Sequence, residues 1–263
     1  MPTIREISDV LFDFAPAYMK MDWDNVGLVC GKYDTAVHRV LVALDPMMDV
    51  FQEAKALGCE LVVSHHPLIF QPVKQVNDES YDGRNLFYLI ENGIASLNLH
   101  TNLDCCPGGV NDVLAETLGL SDVEVLNSVG TDKQGRPYGL IRTGTVGGQS
   151  VSQFAAFVKT QLHCPGVRFA DAGKAVHKVA VGGGSCGSEI DEVIAAGCDT
   201  FVTADLKYNH FEEAKYRGLN LIDAGHFETE NPVCDVLERL LSGAFPELAV
   251  FRAREHRDET QFL

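Results

Sequence analysis

A chain of 263 residues that is 46% hydrophobic can bury one large core or two modest ones, which excludes a disordered or fibrous protein. Its 37 acidic residues outweigh 21 basic ones for a formal charge of −16, and no lysine and arginine stripe is present to neutralise phosphates, so nucleic acid is not an expected partner. The eight cysteines include no CxxC pair, and several lie in apolar segments where reduced thiols pack as small hydrophobes, which argues against disulfides or a zinc finger.

The N-terminal MPTIREISDVLFDF lacks the basic start and long apolar stretch of a signal peptide. No apolar run reaches the roughly 20 residues of a membrane span. A soluble, cytoplasmic protein with no membrane partner is expected. Thr3 and Glu6 fit a capping box, and Ile7, Val10, Leu11 and Phe14 recur at helical spacing before Pro16. His38 to Leu44 reads as a strand, Val50, Phe51, Ala54 and Leu57 form one helix face that ends at Gly58, and Leu61 to Val63 reads as the next strand. This βαβ unit delivers the stretch SHHP, Ser64 to Pro67, at a carboxyl-terminal strand end, where ligands of open α/β sheets usually sit.

The pattern then repeats. Val42 to Gly58 and Val181 to Gly197 span the same distance, and each glycine is followed by cysteine, an acid and an apolar strand. The next strands lead to His100 and His226, each with a carboxylate four residues later, Asp104 and Glu230. The duplication predicts an α/β fold of two related lobes with mixed sheets and a metal site between them. Residues 1–120 form the first lobe; residues 121–263 form the middle segment and the C-terminal lobe, all within one compact unit. The middle segment, about 121 to 175, contributes a helix through Ser150, Gln153, Phe154, Val158 and Leu162.

Neighbouring side chains on a strand point to opposite faces, so His65 and His66 can serve one site only where the strand ends and the backbone turns. Pro67 provides that ending, because it cannot extend a ladder. Imidazole suits zinc, iron, manganese, cobalt or nickel, and carboxylates can bridge two ions. His65, His66, Asp104, His226 and Glu230 are the candidate metal ligands, with His100 a sixth ligand or a partner behind them. One catalytic zinc takes about three protein ligands, so five donors suit two divalent ions about 3.5 to 4 Å apart.

Plainer roles compete with these. Asp104 could cap the helix of PGGVNDVLAETLG, and Glu230 could open the helix containing Val233, Leu237 and Leu240, although both are expected on loops after the repeated strands. Glu228 is the alternative carboxylate, and a helical segment would turn it away from His226. His38, His163, His177 and His256 read as ordinary polar residues. The glycine-rich run Val181 to Gly187 lacks the P-loop lysine and the GxGxxG spacing, and reads as a tight turn or a close packing contact.

Four stretches, WDNVGL at Trp23 to Leu28, SHHPLIF at Ser64 to Phe70, NLHTNLD at Asn98 to Asp104 and DAGHFETE at Asp223 to Glu230, resemble the NIF-three-like dinuclear metal proteins. Bacterial members are often named GTP cyclohydrolase 1 type 2 homologs. The resemblance runs nearly end to end and puts His65, His66, Asp104, His226 and Glu230 on the family's metal-binding positions. It also implies a toroidal homohexamer with its metal pairs facing an internal cavity. Longer members carry a domain inserted between the lobes, for which this chain is too short. Members often have a histidine directly after Lys-Tyr, where this chain has Asn209, with His210 next.

Two functions are expected in turn. The first is a metal-dependent hydrolase acting on a nucleotide or related small molecule, its two ions, zinc, iron or manganese, activating a water. The second is a noncatalytic metal-binding or metal-delivery protein that acts through protein partners. A general acid beside the metals would separate them, and Lys207, Tyr208 and His210 are the candidates.

Overall fold

The computed structural model describes Met1–Leu263. In chain order its elements are α1 (Ile4–Phe14), β1 (Gly27–Cys30), β2 (Arg39–Ala43), α2 (Met48–Leu57), β3 (Leu61–Ser64), α3 (Tyr81–Asn92), β4 (Ala95–Asn98), α4 (Thr101–Cys105), α5 (Val110–Thr117) and β5 (Ser121–Leu126). They continue with β6 (Gly130–Thr131), β7 (Pro137–Tyr138), β8 (Ile141–Gln149), α6 (Val151–Gln161), β9 (Arg168–Ala170), β10 (Val176–Val181), α7 (Ile190–Ala195) and β11 (Thr200–Thr203). The last are α8 (Tyr208–Tyr216), β12 (Asn220–Asp223), α9 (His226–Glu230), α10 (Val233–Ala244) and β13 (Ala249–Arg252). No helix is long and apolar enough to cross a membrane.

Two units divide the chain: Met1–Leu103 with Val233–Arg257, and Asp104–Pro232 with Asp258–Leu263. In the first, the sheet order is β1-β4-β3-β2-β13, with β4, β3, β2 and β13 parallel and β1 antiparallel at one edge. Strand β3 is buried along its whole length, as a parallel strand covered on both faces must be, which is why it reads as an apolar run rather than an alternation. Leu41, Phe51, Val62, Leu86 and Leu89 pack together in its core. The Thr3 and Glu6 capping box forms as expected at α1, and Ile4, Ile7 and Leu11 are the buried face of that helix. These units differ in their bounds from lobes at 1–120 and 121–263. Leu114, Ala115, Leu118 and Leu120 pack with Phe154, Val158 and Val179 of the second unit, and β13 returns to lie parallel to β2, a pairing across the length of the chain that a short strand does not announce.

The second unit has the order β5-β8-β10-β11-β12-β9, in which β10, β11 and β12 are parallel and the others antiparallel to their neighbours, and β6 and β7 form a separate hairpin. Ser150 and Gln153 make a capping box that starts α6, whose Val151, Phe154, Ala155 and Val158 enter the core.

Inside each unit the repeat is visible atom by atom. Gly58 and Gly197, at φ 67° and 72°, occupy the left-handed conformation that closes α2 and α7. The acid that follows binds the strand start beside it: Glu60 accepts from His38 and Arg39 N–H at 3.0 and 2.9 Å. Asp199 accepts from His177 and Lys178 N–H at 3.0 and 2.8 Å. Each unit thus contains three parallel strands in sequence order, with an antiparallel strand, β1 or β9, beside the last of them. The fold is mixed α/β with mixed sheets, as the sequence implied.

Candidate metal centre

Strand β3 stops where its neighbour stops. The N–H of His65 bonds to Leu44 O at 3.1 Å and that of His66 to the same oxygen at 2.9 Å, and the chain bends at these two residues, just before Pro67. The two adjacent rings can therefore share one side, with centroids 4.8 Å apart, and the His100 ring lies 5.4 and 5.7 Å from them. Each of these histidines offers a ligand atom, and the three lie within 4.8 Å of one another.

Every Nδ1 in this set is already committed. His65 Nδ1 lies 3.0 Å from Leu99 O, His66 Nδ1 is 2.5 Å from Asp45 Oδ1, and His100 Nδ1 is 2.7 Å from Asp24 Oδ1. An imidazole that donates Nδ1–H to an oxygen carries its lone pair on Nε2, the tautomer a metal ligand needs. Burial opposes charge on Asp24, but the bonds from His100 and Thr101 outweigh it and lower its pKa to about 2. Asp45 is half-buried, which again opposes charge, but His256 and His66 hold its carboxyl well below the usual carboxylate range.

The second unit has a donor group of its own. Helix α9 starts at His226 with Gly225 as its N-cap, and its spacing of four brings His226 Nε2 to 3.0 Å from Glu230 Oε2. On the far side of the ring, His226 Nδ1 is 2.8 Å from Asp205 Oδ2. Burial lowers the His226 pKa, but the hydrogen bonds and charges of Asp205 and Glu230 more than offset this and raise it to about 11. Two carboxylates therefore favour positive charge at this position. Asp104 is 6% exposed on α4, and its carbonyl accepts from Asn111 Nδ2 at 3.1 Å. Asp104 and Glu230 both bear on one thiol, since burial first and their charges next push Cys186 well above the ordinary cysteine value.

The glycine-rich run packs against these donors. Gly183 N–H donates to Asn111 Oδ1 at 2.7 Å and Gly184 N–H to Thr229 Oγ1 at 3.0 Å, so side chains of the protein itself take these amides. A Cβ on Gly184 would lie 2.1 Å from Glu230 Oε1 and 3.0 Å from His226 Nε2, at a φ of +63°. Only glycine leaves room for that carboxylate. Close packing, one of the two plain roles read from the sequence, is what this run does.

Of the sequence-derived donors, His65 and His66 come together with His100, His226 comes together with Glu230, and Asp104 belongs to the second unit. Asp104 and Glu230, expected on loops, lie in α4 and α9: a histidine and an acid four residues apart is one helical turn, which the strand-to-loop reading did not recognise. Glu228 lies on α9 with its carboxyl folded toward Gly225, where a Cβ would be 2.1 Å from Oε2. His210 Nδ1 accepts from Lys207 N–H at 3.3 Å and so helps start α8. Sequence reasoning missed Asp24, Asp45, Asp205 and His256. Asp45 carries one signal, a lone acid closing an apolar strand, and Asp24 lies within the quoted stretch WDNVGL; no pattern marks the other two. Beside His100 are two exposed aromatic rings, the chain's single tryptophan, Trp23, and Phe70, with centroids 5.6 Å apart and 6.0 and 6.2 Å from the imidazole.

Residues 2–259 match the family model described as Duf34/NIF3 (NGG1p interacting factor 3). A Clostridium perfringens protein named GTP cyclohydrolase 1 type 2 homolog is 31% identical over 99% of this chain and 99% of its own length. A Streptomyces coelicolor protein of the same name is 39% identical over 90% of this chain and 84% of its own. Among solved structures, a Bacillus cereus protein related to NIF3 superposes with a TM-score of 0.93 at 25% identity, covering 100% of this chain and 99% of that one. With the family model and an aligned relative both spanning nearly all of it, the chain belongs to the Duf34/NIF3 family.

Proposed function

We propose that His65, His66, Asp104, His226 and Glu230 hold two divalent transition-metal ions per chain, and that the protein is a hydrolase acting on a nucleotide or related small molecule. The observation that carries this reading is the state of the histidines: His65, His66 and His226 each have Nδ1 bonded to a carbonyl or carboxylate, which orients Nε2 as a ligand. Five donors of mixed imidazole and carboxylate type exceed what one ion takes. Zinc, iron and manganese suit that mixture. A bound metal pair supplies Lewis acidity, lowering the pKa of a water and offsetting the negative charge that develops in the transition state.

The chain's own residues supply the rest. Asp45, Asp24 and Asp205 fix the tautomers of His66, His100 and His226. Trp23, 62% exposed, and Phe70, 52% exposed, offer aromatic faces beside His100 on which a flat heterocycle can stack. The relatives' name, GTP cyclohydrolase 1 type 2 homolog, supports a nucleotide as the ligand and is consistent with that stacking surface. As an assembly we propose the homohexamer that the family resemblance implies.

The second reading, a noncatalytic metal-binding or delivery protein, is favoured by one observation: the His210 ring, one of the three general-acid candidates, serves the start of α8. One screen decides. Protein loaded separately with zinc, manganese and iron is incubated with nucleotides, phosphoesters and cyclic amides. Turnover that disappears in His65→Ala supports the hydrolase; no turnover of any of them by protein that retains its metal favours the second reading.

A further inference from the structure

Residues 253–257 follow β13 without helix or strand, yet His256 is only 6% exposed. Backbone contacts bring it in. Ala253 N–H donates to Val42 O at 2.8 Å, and the N–H groups of Arg254 and Glu255 both donate to the Glu53 carboxylate, at 3.0 and 3.1 Å. The ring that they deliver places Nε2 2.7 Å from Asp45 Oδ2, while the other oxygen of the same carboxylate lies 2.5 Å from His66 Nδ1. The second nitrogen of His256 is 3.8 Å from Asp49 Oδ2.

A carboxylate held at one oxygen can still turn about its Cβ–Cγ bond. Held at both by ring N–H groups, it cannot turn without breaking one of them, and its plane in turn fixes the imidazole on the other side. Asp45 is held in this second way.

We propose that His256 is a positioning residue of the metal centre: acting through Asp45 it fixes the ring of His66, so the C-terminal stretch 253–257 and the ligand are one hydrogen-bonded unit. The inference rests on His66 being a metal ligand. Its consequence is reciprocal, because what the tail does for metal binding, metal binding does for the tail. Removing the His256 donor loosens metal, and removing metal loosens residues 253–257.

Two substitutions separate positioning from packing. His256→Phe keeps a flat ring of similar size and loses the donor; His256→Gln keeps an N–H near the position of Nε2. Zinc affinity is measured by competition with a chelator at fixed pH, alongside the melting temperature of each metal-free protein. Asp45→Ala is expected to weaken zinc binding by about tenfold to a hundredfold, His256→Phe by about threefold to tenfold because it acts one bond further out, and His256→Gln to stay within about twofold of wild type. In parallel, trypsin cleavage after Arg254 and Arg257, read by mass spectrometry, is expected to slow when the wild type is loaded with zinc and not when His66→Ala is treated in the same way.

If Asp45→Ala weakens zinc binding while His256→Phe binds as tightly as wild type, the inference is overturned and the metal centre stands. Equal loss of zinc affinity in the Phe and Gln variants, in step with their melting temperatures, would mean that His256 only packs, and also overturns it. Should His256→Phe not fold, the trypsin comparison on the wild type decides, with equal cleavage rates in the presence and absence of zinc counting against coupling. A wild-type protein that binds no zinc at all removes the centre and this inference together.

Discussion

His226 is the residue on which the electrostatics of the site concentrate. Asp205 and Glu230 overcome the opposing effect of burial and raise its pKa from 6.5 to about 11 in the metal-free protein. A raised folded-state value contributes stability that is fully present below the unfolded pKa near 6.5 and is lost as pH climbs toward 11. Metal binds only the neutral ring, so loading at pH 7 should expel about one proton from this position, and affinity should fall as pH falls. Calorimetry in two buffers of different ionisation enthalpy reads the proton directly; metal uptake with no proton released would contradict the assignment of His226. Alanine at His65, His66, Asp104, His226 or Glu230 should lower metal content while leaving the circular dichroism spectrum in place, whereas His38→Ala and His163→Ala should change neither. Retention of full metal content by all five ligand variants would put the site elsewhere. Gly184→Ala is a sharper probe, since its Cβ would meet Glu230 Oε1 at 2.1 Å in a backbone conformation that alanine resists. It should cost about 1 kcal/mol or more of stability and reduce metal content, measured by thermal unfolding and elemental analysis.

Among the elements, the parallel βαβ segments β2-α2-β3 and β10-α7-β11 are held by the same device, a glycine that ends the helix and an acid that binds the start of the previous strand. Glu60→Ala and Asp199→Ala should each cost about 1 kcal/mol, the net worth of such bonds when water can replace them in part, with metal content unchanged. Chemical denaturation checks the first and elemental analysis the second; a loss of metal in either would mean that these acids act beyond their strand. The elements were also where the sequence was most readable. The capping box at Thr3, the helical spacing from Ser150 to Leu162, glycine at a helix end and unbroken apolar runs are local signals, and α1, α2, α6, β2 and β3 formed where those signals lay. The site was legible in part for the same reason: SHHP and the two His-x3-acid spacings are local. Asp45 and His256 are separated by 211 positions, and the parallel pairing of β13 with β2 spans a similar distance. Contacts of that range leave no periodicity, which is why the oxygens behind the histidines had to come from the structure.

For the whole molecule, the family resemblance implies six chains of 28.7 kDa, and light scattering at micromolar concentration should return about six times that mass. A monomer mass would restrict the resemblance to the fold. A formal charge of −16 does not oppose assembly if the contact surfaces are locally apolar. The central claim is the metal pair, because the hydrolase reading and the role of His256 both depend on it. Its most direct test is the number of metal ions per chain, by elemental analysis of protein saturated with zinc, freed of excess by gel filtration and quantified by amino-acid analysis. The account predicts about two ions per chain, falling in the His65→Ala and His226→Ala proteins; one ion or fewer in the saturated wild type would contradict it.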